Sequence, residues 1–271
     1  MVPVAGSMRS NIRGDEVRLP SNPSVSLQLY SMRRLGGLEH QVAAAAEAGF
    51  RFVEPLEHHL YETENLDRIL RAHGVSAPSA HITLPALKRQ RSRSLDDCIR
   101  CGIRELFVQL PRGTVTESIT FWQRVGTDLG SLAEDMRPYG IVLGFHNMSS
   151  GFRLLPNGQY GFEVLFRAAG SRLVWQADIA WLYRAGVNPS DWLRRFSAYL
   201  TSAHIKDQAA EGESIDEEGW SDVGAGVMVW PSLWRAVVQN GARTLVIEHD
   251  NPKDPMHFAK TSLAYVRRFL S

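Results

Sequence analysis

Short apolar runs alternate with longer amphipathic stretches from residue 25 to residue 270. The runs at 25–30, 50–55, 79–83, 105–110, 141–145, 173–178, 200–205 and 245–248 read as strands. Near-continuous apolar character over so few residues suits a strand buried on both faces. Between them, 38–48, 66–73, 119–137, 163–169, 192–196 and 231–239 read as helices, and 259–270 as a closing helix. Gly49 and Gly74 stop the first two, and Pro138 and Gly140 end the longest. Strand and helix in alternation imply a parallel sheet. About eight units in roughly 250 residues favour closure into a single (β/α)8 TIM barrel of the α/β class. An open doubly wound sheet is the alternative, but no Gly-x-Gly-x-x-Gly follows an early strand. Residues 1–24, rich in Pro, Ser, Asn and charge, read as a loose N-terminal arm ahead of a barrel domain over 25–271.

Four of the runs end on polar side chains: Gly144-Phe145-His146-Asn147, Trp175-Gln176-Ala177-Asp178, Ala203-His204-Ile205-Lys206-Asp207 and Val246-Ile247-Glu248-His249-Asp250. In a TIM barrel the carboxyl ends of the strands carry the active site. Residues i and i+2 share a face of a strand, so His204 points with Lys206 and Glu248 with Asp250. A lone His at a strand end is commonly hydrogen-bonded filler, and a lone carboxylate a helix cap. What marks a site is the convergence of His146, Asp178, His204 and Glu248 from four consecutive strands. Two imidazoles and two carboxylates make a mixed nitrogen and oxygen set that suits Mn²⁺, Co²⁺, Fe²⁺ or Zn²⁺, with Mg²⁺ less favoured.

Composition narrows the partners. A hydrophobic content of 44% over 271 residues is enough for a sizeable core. Lys+Arg 30 against Asp+Glu 29 leaves a net charge of +1, which argues against a nucleic-acid partner. No apolar stretch approaches the roughly 20 residues of a membrane span. No apolar segment follows Met1 closely either, so a cytoplasmic location is expected, with no membrane partner. Cys98 and Cys101 form a Cys-x-x-Cys without a second ligand pair or a redox context, and read as helix residues in a reducing compartment.

Several short segments occur in an informative order. They are Leu27-Gln28-Leu29-Tyr30-Ser31-Met32-Arg33, Phe52-Val53-Glu54-Pro55, Gly144-Phe145-His146-Asn147 and Asp178-Ile179-Ala180-Trp181. Ala185-Gly186-Val187-Asn188-Pro189, His204-Ile205-Lys206-Asp207, Val223-Gly224-Ala225-Gly226 and Glu248-His249-Asp250 follow. Together they resemble the xylose isomerase-like TIM-barrel superfamily of sugar-phosphate isomerases and epimerases over about residues 25–270. The His-Asn and Asp-x-x-Trp forms look most like the branch with inosose dehydratases and enzymes acting on keto-sugars.

The resemblance implies one divalent ion, Mn²⁺ first, held by Asp178, His204, Glu248 and a fifth-strand residue, here His146 where Glu is common. Related chains often read His-Asn-His-x-x-Glu-Phe at that strand, and this chain has Met148 and Gly151 in place of the second His and the Glu. Glu248, His146 and Lys206 are the expected catalytic groups. Glu54, His81, Gln109, Arg112, Trp181 and Asp250 are the expected substrate contacts, with Trp181 and Trp220 offering aromatic faces to a sugar ring. Two roles stay open. Lys206 is an electrophile, an acid or a salt-bridge partner of Asp207, and Glu54 alternatively pairs with Arg51 or Arg33 at the surface.

The expected function is a metal-dependent sugar isomerase or epimerase that abstracts a proton next to a carbonyl of a keto-sugar or related polyol. A dehydratase or lyase would use the same site for β-elimination of a 3-keto-sugar or inosose. A metal-free sugar-binding or subunit protein is a further alternative. An endonuclease IV-type phosphodiesterase fits least, since it needs a denser His/Glu cluster and a basic surface. A small-molecule sugar is the expected partner, and a homo-oligomer is allowed. The stretch 208–220, with Glu211, Glu213, Asp216, Glu217 and Glu218 and little apolar material before Trp220, is expected to be a mobile lid.

Overall fold

The apolar runs become strands in the computed structural model, which describes residues 23–61, 65–114 and 116–270. They are β1 (Ser24–Gln28), β2 (Phe52–Glu54), β3 (Ser79–Thr83), β4 (Glu105–Gln109), β5 (Val142–His146), β6 (Val174–Asp178), β7 (Leu200–Ile205) and β8 (Thr244–Ile247). All pair in parallel in the order β2-β1-β8-β7-β6-β5-β4-β3. The two ends of that order meet, because Val53 N donates to Ser76 O at 2.9 Å and His81 N to Pro55 O at 2.9 Å. The sheet is therefore a TIM barrel, with helices around it. Of the expected N-terminal arm, residues 1–22 lie outside the described residues.

Helix-facing sides of the strands carry the apolar core. Trp175 of β6 packs edge-on against Phe162 at 5.0 Å between ring centroids, on the helix Gly161–Ala169. That helix lies against Ile119–Met136, where Gly126 and Gly130 allow backbone contact. A Cβ on Gly126 would sit 2.2 Å from Leu165 O. The barrel interior differs from the branched aliphatic filling usual in this fold. Phe107 fills part of it, and Gly144 on β5 makes room, since a Cβ there would sit 2.4 Å from the Phe107 ring. Ser26, Gln28, Glu54, Ser79, His81, Gln176, Ser202 and His204 are all buried polar residues of the strands.

The structure adds elements that the sequence pattern left out. The first strand stops at Gln28 and a 3-10 turn runs over Leu29–Leu35, started by Tyr30 N donating to Gln28 Oε1. While Cys98 and Cys101 sit, as expected, on a helix, Arg91–Cys101, the short helices Glu57–Tyr61, Leu84–Arg89 and Ile179–Arg184 are additions. The last is capped by Asp178, whose Oδ1 accepts from Trp181 N at 2.9 Å.

The expected lid is also different. Asp207–Gln208 and Trp220–Ser221 pair as an antiparallel hairpin. Trp220 is buried, with the Arg184 guanidinium 3.3 Å from its ring centroid. Arg184 also donates to Glu218 O and Gly219 O, Asn251 Nδ2 to Asp216 O, and Lys253 N to Glu217 Oε1. Polar contacts from distant segments thus anchor the middle of the stretch, between buried Ala209 and Trp220.

Candidate active site

The floor of the site is Glu54, at the end of β2 and fully buried. Its Oε1 accepts from Gln28 Nε2 at 2.9 Å and His204 Nε2 at 2.8 Å, and His81 Nε2 lies 3.1 Å away. Its Oε2 accepts from Gln176 Nε2 at 2.9 Å and from the Ser79 hydroxyl in a short contact. Burial alone would raise the Glu54 carboxyl, but the His81 and His204 imidazoles hold it well below the usual carboxylate range.

Above the floor stands His204, in register with Asp178 on β6. Its Nδ1 lies 2.9 Å from Glu248 Oε2, so both ring nitrogens face carboxylates. Burial opposes a charge here, yet Glu248 and Glu54 raise the imidazole to about 10. Lys206, two residues on and on the same face, is also fully buried. Its ammonium lies 2.7 Å from Glu248 Oε2, 3.2 Å from Asp178 Oδ2 and 3.1 Å from Asp250 Oδ2. Against the burial penalty, Asp178, Asp250 and Glu248 push the Lys206 amine up and keep it charged. Lys206 and His204 in turn hold Glu248 well below its usual value despite burial. Asp207 points the other way and accepts from Gly224 N, Met228 N and Trp230 Nε1, so it is not the partner of Lys206.

The third wall is His146 with Gln176. Gln176 Nε2 is spent on Glu54 Oε2 and on Ser202 Oγ at 3.0 Å, so its Oε1 must be an acceptor. His146 Nδ1, 3.0 Å from that Oε1, is therefore the protonated nitrogen, a tautomer assigned from the hydrogen-bond network. His146 Nε2 is left with a lone pair, 3.8 Å from Asp178 Oδ2. Burial, with His204 and His81 adding, holds this ring neutral, well below its ordinary value. His81 Nε2 also points to Gln176 Oε1, and the His81 ring stacks on His204 at 5.0 Å. Asn147 ties β5 to β6 by accepting from Trp175 Nε1 at 2.8 Å and Asp178 N at 3.0 Å.

The mouth cavity is lined by Tyr30, Leu56, His81, Gln109, Arg112, His146, Met148, Trp181, Lys206, Glu248 and Asp250. His81, Gln109, Arg112, Trp181 and Asp250 thus lie where substrate contacts were expected, beside His146, Lys206 and Glu248. Glu54 does not: it is sealed beneath His204 and is neither at the mouth nor paired with Arg51 or Arg33. Trp220 does not reach the mouth either, since Arg184 covers it and Trp181 packs edge-on at 5.1 Å. Gln28, Ser79, Gln176 and Ser202 were not anticipated. The period-two rule that groups His204 with Lys206 would have found Gln176, two residues before Asp178.

The donor set fits a divalent cation. Asp178 Oδ1 is held by the helix cap, and its buried Oδ2 accepts no hydrogen bond but lies 3.2 Å from the Lys206 ammonium, a cation that a metal ion would have to displace from it. One ligand atom each from Asp178, His204 and Glu248 lies within 4.8 Å of the others. His146 Nε2 could add a fourth from its free lone pair. Glu54 on His204 Nε2 and Gln176 on His146 Nδ1 occupy the outer nitrogens, as second partners do in metal sites.

Comparison with solved structures gives the same fold at low identity. A sugar phosphate isomerase/epimerase from Parabacteroides distasonis is 18% identical, with a TM-score of 0.73 over 92% of this chain and 95% of that one. A probable 3-DHS dehydratase involved in petrobactin synthesis in Bacillus anthracis is 13% identical, with a TM-score of 0.72 over 90% and 98%. The IOLI protein with a bound zinc atom is 12% identical, with a TM-score of 0.72 over 92% and 98%. No curated protein matches the sequence significantly. The model of the xylose isomerase-like TIM barrel family matches residues 42–269, and the chain belongs to that family.

Proposed function

We propose that this protein is a sugar isomerase or epimerase that moves a proton at the carbon next to a carbonyl of a keto-sugar or related polyol. The observation that carries the reading is the mouth itself. An ionised Glu248 and a charged Lys206 border one cavity beside His146, Asp178 and His204, and ligand atoms of Asp178, His204 and Glu248 lie within 4.8 Å of one another. His146, Asp178, His204 and Glu248 would hold one divalent ion, with Mn²⁺, Co²⁺, Fe²⁺ or Zn²⁺ suited to the mixed donors. Such an ion supplies Lewis-acid polarisation of a substrate carbonyl.

The chain's own groups do the rest. Glu248, kept ionised by Lys206 and His204, is in the form that accepts a proton. Lys206, kept charged and held by three carboxylates, places its positive charge beside an oxygen on which negative charge grows. His81, Gln109 and Arg112 provide polar contacts for hydroxyl groups, and Trp181 an aromatic wall. A substrate with a leaving group on the next carbon would undergo elimination from the same proton abstraction. A structural relative named as a dehydratase keeps that reading in view.

The test is solvent exchange. Manganese-loaded protein is incubated in D₂O with ketohexoses, inososes and 3-keto-sugars, and products are read by NMR. The expected result is deuterium at the carbon beside the carbonyl with at least one panel member, lost in Glu248→Gln. A panel with no exchange at all refutes the proposal, and loss of water with exchange selects the lyase form.

A further inference from the structure

The chain has four lysines, and Lys88, Lys253 and Lys260 are each at least half exposed. Lys206 is the exception, buried with its ammonium among three carboxylates. An ammonium has three N–H donors. Asp178 Oδ2 at 3.2 Å, Glu248 Oε2 at 2.7 Å and Asp250 Oδ2 at 3.1 Å account for all of them. Two of these carboxylates belong to the candidate metal set. Asp178 has only Oδ2 to offer an ion, since Oδ1 caps a helix, and Glu248 Oε2 is also the oxygen that faces His204 Nδ1. Lys206 Nζ therefore already stands where Asp178 and Glu248 present their negative charge.

An ion bound to both carboxylates would face the ammonium at close range in a buried site, where like charges repel strongly. The third carboxylate offers a way out. Asp250 is not in the metal set, and it lines the mouth cavity together with Lys206 and Trp181. The ring centroids of Trp220 and Trp181 lie 4.8 Å and 5.6 Å from Lys206 Nζ. One carboxylate and two aromatic faces thus give the ammonium a resting place that uses no metal ligand.

We infer that Lys206 is the site's own cation in the metal-free protein, and that it yields Asp178 and Glu248 to an incoming divalent ion while keeping Asp250. The inference rests on the reading of Asp178, His204 and Glu248 as metal ligands. It gives Lys206 two successive duties. Before loading, the ammonium neutralises buried carboxylates that would otherwise repel one another, so the ligands stand together without an ion. After loading, two of its three N–H donors are released for a substrate oxygen in the cavity. Substrate contact through Lys206 therefore follows metal loading, and the ion is held less tightly than its ligands alone would hold it.

Zn²⁺ is diamagnetic, so the lysine can be followed directly. Protein labelled with ¹⁵N-lysine is studied by ¹H–¹⁵N NMR of its ammonium groups, with and without Zn²⁺. Metal-free protein should show one ammonium signal protected from exchange with water, absent in Lys206→Met, and Zn²⁺ should shift it and speed its exchange. The other three lysines are exposed, so the wild-type spectrum decides the matter even if Lys206→Met does not fold. Calorimetric titration should show Lys206→Met binding Zn²⁺ about tenfold or more tightly than wild type, since the competing charge is gone. A Lys206 signal that Zn²⁺ leaves unchanged, or equal or weaker binding by Lys206→Met, overturns the inference. No Zn²⁺ bound by either protein removes the metal site and the inference with it, whereas Zn²⁺ bound beside an unmoved Lys206 removes the inference alone. Movement of Lys206 without deuterium exchange on any sugar refutes the proposed reaction alone.

Discussion

Replacing Glu54 by Gln tests whether the polar floor sets the metal site above it. The carboxylate accepts four hydrogen bonds, from Gln28, His204, Ser79 and Gln176, with His81 Nε2 a further 3.1 Å contact. A Gln side chain keeps one acceptor oxygen and turns the other position into a donor. If that donor faces Gln176, Gln176 must reverse and present its own amide hydrogens to His81 and His146. His146 would then have to accept at Nδ1 and carry its proton on Nε2, the nitrogen aimed at Asp178. If instead the donor faces His204, the Nε2 proton of that ring loses its partner. Either way one candidate ligand is disturbed through its outer hydrogen bond. Such losses commonly cost about 10–100-fold in metal affinity, or roughly 1.4–2.7 kcal/mol. Calorimetric titration with Mn²⁺ or Zn²⁺ measures the affinity, and ¹⁵N NMR of the histidine rings reads the tautomer. Wild-type affinity in Glu54→Gln, with unshifted His146 and His204 resonances, would refute the reasoning.

Lys206→Met should destabilise the metal-free protein by about 3–5 kcal/mol, because it strips the cation from buried Asp178, Glu248 and Asp250. Added Mn²⁺ should then raise its unfolding temperature more than that of wild type, and an equal or smaller rise would contradict this. His59 is buried, accepts from Leu56 N at Nδ1, and is lowered by burial to about 3. The unfolded chain therefore binds the extra proton first, and His59 contributes stability above about pH 6.5 that is lost as pH falls toward 3. Urea unfolding should show that His59→Gln lessens the loss of stability between pH 7 and pH 5 by about 2 kcal/mol. Gly126→Ala should cost about 1–3 kcal/mol by driving a methyl group into Leu165 O on the facing helix. An unchanged urea midpoint would show that the two helices separate freely.

Much of the barrel was legible because its strands are buried on both faces and read as short apolar runs. β3 and β7 agree with the expected bounds to the residue. The strand-end groups His146, Asp178, His204 and Glu248 were legible for the same reason, each interrupting or closing an apolar run. What the sequence hid was neutral or distant. Ser202 is an ordinary polar residue until the ring closes, and Gln176, though on the face of Asp178, shows its role only once Glu54 of β2 is set across from it. The anchoring of 208–220 depends on Arg184 and Asn251, which lie outside the segment and carry no local signal. The short helix Ile179–Arg184 was missed because Asp178 serves two purposes, helix cap on Oδ1 and partner of the Lys206 ammonium on Oδ2.

The central claim is that His146, Asp178, His204 and Glu248 hold one catalytic ion. Protein purified without chelator, and its His204→Ala variant, should be dialysed against Mn²⁺ or Zn²⁺ and the bound metal measured by inductively coupled plasma mass spectrometry. The account predicts about one ion per wild-type chain and loss of most of it in the variant, since fewer protein ligands hold an ion weakly. No ion in the wild type, or the same content in His204→Ala, would contradict it.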